Sequence, residues 1–151
     1  MVLESPFYRY HSPLFQERSE QIILYHTTFK GFEVGLLIGS IIGGVMSIKS
    51  KSFQAQKLTK YFNYSILTGI CLADSLALAK MYDQFEKNKK RAYQLHRNTK
   101  ENDTDNNTFS GLAIGYFILR RIPVLREHKL LSTYLGGTAG FLGTKVYNRF
   151  V

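Results

Sequence analysis

The side chains that could do chemistry in this chain of 151 residues are 4 histidines, 1 cysteine and 11 acids, and their spacing argues against it. His11, His26, His96 and His128 are scattered, and no pair stands at i, i+4. A helical zinc site needs that spacing together with a Cys or an acid, so no metal is expected. Cys71 lies in an apolar run with Asp74 near it and no histidine to activate it, which makes a poor nucleophile and a good small packing residue. A lone cysteine also offers no disulfide pair. No Gly-Lys-Ser/Thr follows the glycines, so they are not a phosphate loop. The sequence therefore predicts no catalytic residue, no cofactor, no small-molecule substrate and no enzyme.

Asp74, in "GICLADSLALAK", is the sharpest polar residue. An ionisable group in hydrocarbon costs several kcal/mol unless it is paired, protonated or facing water. Three roles stay open: a structural acid bonded to a neighbouring helix, the wall of a polar cavity for a translocating peptide, or a proton-relay member. A relay needs further titratable groups in mid-span, and the sequence supplies none, so the structural role is favoured.

The elements that would hold these residues are apolar and rich in glycine. "GFEVGLLIGSIIGG" places Gly31, Gly35, Gly39 and Gly43 four residues apart. In water each helix-interior glycine costs about 1 kcal/mol relative to alanine. In lipid the backbone must stay helical to satisfy itself, and glycines on one face let another helix approach closely. The pattern recurs as Ser65, Gly69, Ala73 and Ala77, as Gly111 and Gly115, and as Gly136, Gly140 and Thr144. Four spans are expected, at about 31–48, 61–82, 108–125 and 130–147. The predicted fold is an all-α integral membrane bundle of four transmembrane helices with GxxxG-type packing faces. Before it comes an arm at 1–30, within it a charged loop at 83–107, and after it a tail at 148–151. Mean hydropathy is slightly negative and the uncharged runs are short, which keeps a soluble helical domain as the competing expectation.

Charge orients this arrangement. Lys49, Lys51, Lys57 and Lys60 stand in 49–60 without an acid, and Arg120, Arg121, Arg126 and Lys129 stand in 120–129 against Glu127. By the positive-inside rule both loops face the matrix or cytoplasm, with the termini opposite. Lys49, Lys51, Arg120 and Arg121 could hold anionic headgroups there, cardiolipin being the expected phospholipid. The N-terminal 30 residues mix acids with bases, unlike a cleaved transit peptide, and lack a secretory apolar core, so targeting is expected to be internal. "EKNKKRAYQLHRNTK" reads as an amphipathic helix at an interface or on a partner, with disorder as the alternative and nucleic acid not expected. "NTKENDTDNNT" reads as a turn-rich loop, with Asn106, Asn107 or Thr108 capping the third span.

These residues resemble the four-span subunits of the mitochondrial inner-membrane protein translocases, whose relatives include an accessory membrane-arm subunit of respiratory complex I. The resemblance rests on "GLLIGSIIGGVMSIKS" leading into a basic loop, on Asp74 late in the second span, and on a following motif. That motif reads Arg97, Glu101, Asp103, Asn106, Ser110, Gly111, Gly115, Arg121 and Pro123. Two departures stand out. "DQFEKNKKRAYQLH" is an insertion that compact members lack. Ser75 follows Asp74 and the N-terminal arm has no cysteine, so the disulfide of translocase subunits of this length cannot form. The resemblance thus implies a multi-pass mitochondrial inner-membrane protein, and a non-catalytic structural subunit of complex I, partnered by large membrane subunits and phospholipid. A translocase subunit is the alternative, followed by an accessory subunit of another respiratory or ATP-synthase complex.

Overall fold

The computed structural model describes residues 13–50, 54–82 and 85–150. Those residues form five α-helices: α1 (Pro13–Ser50), α2 (Ala55–Met81), α3 (Phe85–Arg97), α4 (Thr99–Phe117) and α5 (Lys129–Phe150). Between α4 and α5 the chain makes two short 3-10 turns, Leu119–Arg121 and Pro123–Leu125. Pro123 opens the second turn, where its fixed φ fits and its missing N–H is not needed.

The helices pack as two antiparallel pairs, α1 with α2 and α4 with α5, and the absence of Cβ atoms sets how closely they approach. A Cβ on Gly31 would lie 2.6 Å from the Gly69 carbonyl oxygen and 2.8 Å from Ile70 Cα. One on Gly35 would strike the backbone of Ser65 and Ile66. Further along, Gly39 faces Phe62, and Gly43 faces Leu58 at 3.0 Å. In the second pair Gly111 and Gly136 each press on the other's carbonyl, Gly115 on that of Ser132 and Gly140 on that of Asn107. Contact at this range lets backbone meet backbone, which side chains larger than hydrogen prevent.

A core of Leu36, Ala55, Leu58, Phe62, Leu125 and Leu131 joins the pairs. Phe62 stacks on Tyr134 at 5.3 Å, the Tyr134 hydroxyl donates to Asn63 Oδ1 at 2.7 Å, and Ser40 and Thr138 hydroxyls meet at 3.0 Å. Because Leu125 shares one core cluster with Ala55 and Leu58, the α4–α5 connection lies at the same end of the bundle as the α1–α2 connection. A second cluster of Ile23, Ala77, Met81 and Ala92 seats α3 on the opposite end. There Asn88 Nδ2 donates 3.0 Å to the carbonyl of Met81, which the end of α2 leaves open.

The expected membrane bundle of four transmembrane helices is corrected in its main claim. Among the described residues only two helices are long and apolar enough to cross a membrane, α1 over Arg18–Ser50 and α2 over Ala55–Met81. The third expected span, 108–125, is not one helix: α4 ends at Phe117 and two 3-10 turns follow. Lys100, Glu101, Asp103 and Asp105 occupy the first half of α4, which leaves about ten uncharged residues, half of a span. In α5 glycines, threonines and Lys145 dilute the leucines. The charged loop 83–107 is also largely helical, because α3 and the first half of α4 lie in it. The cap of α4 is Asn98, whose Oδ1 accepts from the Glu101 N–H at 3.3 Å, and not Asn106, Asn107 or Thr108. Residues 13–30, read as an arm, continue into α1.

Candidate functional site

Two features stand out once the helices are assembled: an ion-pair layer across the bundle, and apolar faces that the fold leaves uncovered. The layer centres on Lys30 of α1. Its ammonium donates to Glu33 Oε2 at 2.8 Å, to Asp105 Oδ1 at 2.5 Å and to Glu101 Oε2 at 2.7 Å. Glu33 is fully buried, and its other oxygen accepts from the Thr108 hydroxyl at 2.8 Å. Lys145 of α5 reaches Glu101 at 3.2 Å, and His26 Nδ1 lies 3.6 Å from Asp105 Oδ2. Phe29, next to Lys30, stacks on Phe109, next to Thr108, at 4.5 Å.

Helical spacing makes the layer possible. Lys30 and Glu33 are one turn apart on α1, and Glu101, Asp105 and Thr108 follow one face of α4. Thr104 bonds back to the Lys100 carbonyl, and the Thr108 hydroxyl, which donates to Glu33, also stands 2.9 Å from the Thr104 carbonyl. Burial raises the Glu101 carboxyl, but hydrogen bonds and attraction from Lys30 and Lys145 outweigh it and hold the group below its ordinary range. Sequence reasoning missed this layer. Its signal was the Lys30–Glu33 pair together with acids four apart in α4, a stretch that reads as a loop when taken alone.

Asp74 is half-buried and lies 2.8 Å from the Thr28 hydroxyl of α1, which also stands 2.9 Å from the Leu24 carbonyl. Ala73 meets Gly31 across the α1–α2 contact. The motif residues are not gathered into a site. Arg97 is exposed at the end of α3, Asp103 and Asn106 are exposed in the first half of α4, and Arg121 lies past the far end of α4. Arg97 donates to the Tyr93 hydroxyl at 2.8 Å and covers its ring. Lys49 and Arg121 are exposed at the connection end, while Lys51 and the side chain of Arg120 lie outside the described residues. Cys71 is exposed, and among the described residues no group of three or more His, Cys, Asp or Glu is placed to hold a metal ion.

α4 and α5 also expose apolar side chains such as Ile114, Phe117, Leu130 and Val146, but the longest uncovered apolar faces belong to α1 and α2. Val34, Ile38, Ile41, Val45 and Ile48 of α1, and Leu67, Leu72, Leu76 and Leu78 of α2, all point outward. Only 33% of the most apolar window of α1 is buried, and 11% of that of α2. A core helix of a water-soluble domain shows the reverse, with its apolar stripe turned inward.

Residues 18–143 match the family model described as "Protein of unknown function (DUF1757)". The chain belongs to this family. The matched range runs from α1 into α5 and so includes both glycine-packed pairs and Lys30 with its three carboxylates, while Lys145 lies just beyond it. No curated protein and no solved structure matches the chain.

Proposed function

We propose that this DUF1757 protein is a non-catalytic structural subunit of a membrane complex, anchored by the α1–α2 hairpin. The observation that carries the reading is the outward apolar surface of those two helices, buried in only 33% and 11% of their apolar windows. Exposed apolar surface of that extent calls for lipid or protein cover. A hydrocarbon core of about 30 Å takes about 20 helical residues. Counted back from Ile48, and forward from Ala55, that length reaches Thr28 on α1 and Asp74 on α2, the two residues that hydrogen-bond to each other. Asp74 then sits at the hydrocarbon edge, paired, and Lys30 lies close enough to that edge to snorkel. The resemblance to four-span translocase subunits and their complex I relative supports the mitochondrial inner membrane as the compartment. It also supports the membrane arm of complex I as the assembly, with Lys49, Lys57 and Lys60 on the matrix side.

Carbonate extraction of mitochondria, followed by native electrophoresis and mass spectrometry of the detergent-solubilised complex, tests the proposal. The chain should resist carbonate and co-migrate with NADH-oxidising activity. Release by carbonate, together with a monodisperse chain in plain buffer, would remove the membrane reading. Crosslinking to a carrier-type precursor arrested in import would replace complex I with the translocase.

A further inference from the structure

We propose that α3 is a surface helix that holds the protein against anionic lipid headgroups. The proposal rests on the hairpin anchor above and adds a ligand for a face that reading leaves unused. Lys87, Lys90, Arg91, Gln94 and Arg97 are all exposed, at spacings of three and four residues, so they form one stripe along α3. The opposite side is anchored: Asn88 and Ala92 are buried, and Leu95 is half-buried against α1 and α2. Thus the cations have a fixed direction and do not depend on a flexible tail.

Position selects the partner. α3 follows α2 after a short connection and packs on Ile23, Ala77 and Met81. Ile23 lies beyond Thr28, about 8 Å further along the helix axis at 1.5 Å per residue. A bilayer with a hydrocarbon core of about 30 Å is about 40–45 Å thick with its headgroups, so that distance puts α3 at the outer edge of the headgroup zone. Exposed Tyr82, at the junction, is the residue type enriched at that depth. A stripe of positive charge held there is complementary to phosphatidylglycerol- or cardiolipin-like headgroups, and attraction to them falls with salt.

The test uses the full chain with Cys71→Ser, carrying a fluorophore on a cysteine introduced by Gln94→Cys or by Ile41→Cys. It is reconstituted into phosphatidylcholine vesicles, pure or with a third of the lipid replaced by phosphatidylglycerol. A headgroup nitroxide should quench the Gln94-site probe several-fold more strongly in the anionic vesicles. High salt, or K87Q/K90Q/R91Q, should abolish the difference. Equal quenching in both lipids, or a variant that keeps the difference, would overturn the proposal. So would tighter binding of a short RNA duplex than of anionic vesicles at the same salt. The Ile41-site probe, quenched by an acyl-chain nitroxide, reports insertion separately. Loss of that signal alone removes the hairpin anchor and leaves α3 as a peripheral lipid face, and loss of both removes both.

Discussion

Replacing Lys30 by methionine would leave the buried Glu33 carboxylate with Thr108 as its remaining donor and would set Glu101 and Asp105 against each other. Breaking a buried pair from one side costs about 3–5 kcal/mol, so Lys30→Met should lower the unfolding free energy in detergent by about that much. Glu33→Gln keeps an acceptor for Thr108 and removes the charge, so the loss should be smaller. The double variant should be less destabilised than the sum of the singles, because the second change removes the charge the first strands. Strict additivity in chemical denaturation would show that the layer is not coupled. Asp74→Asn should be close to neutral, since an amide can donate to the Thr28 hydroxyl while that hydroxyl bonds Leu24. A loss of import with folding intact would assign Asp74 to transport instead. At this scale the sequence was only partly readable. Asp74 could be picked out because it stood alone in an apolar run. Lys30 could not, because its three acids come from two helices and only tertiary packing brings them together.

Glycine spacing divides into positions that touch and positions that do not. A Cβ at Gly35 would strike Ile66, and one at Gly136 would lie 2.7 Å from Gly115 Cα, whereas at Gly44 and Gly143 it would meet open space. Overpacking costs about 1–3 kcal/mol, so Gly35→Ala and Gly136→Ala should destabilise by about that amount. Gly44→Ala and Gly143→Ala should stabilise by about 1 kcal/mol or less through helix propensity. Thermal unfolding in one detergent compares the four, and equal effects in all of them would detach the glycines from packing. Element boundaries were less legible than the faces. Acids and asparagines in "NTKENDTDNNT" signal a turn when read locally, yet α4 runs through them because Lys30 and Lys145 neutralise Glu101 and Asn98 caps the start. The same charges deny α4 the apolar length of a span.

Across the whole molecule, the charge layer lies toward the α3 end of the bundle, close to Thr28 and Asp74, and the uncovered apolar face of α1 runs on from it to Ile48. The depressed Glu101 carboxyl contributes stability above its unfolded value of about 4.5, and that contribution is lost as pH falls through the lower folded value. The melting temperature should therefore drop below about pH 4.5. Glu101→Gln should flatten that part of the profile, and an unchanged profile would mean that other carboxylates control it.

Composition and spacing alone determined that the chain is helical and that small residues line helix faces. Those properties are local: periodicity and residue size. Tertiary structure decided which glycines meet backbone, that Lys30 gathers three carboxylates, and that the apolar windows of α1 and α2, the two span-length ones among the described residues, stay mostly unburied. Each of these depends on which helices become neighbours and on what surface their contact leaves bare, and burial and charge pairing between distant segments set both.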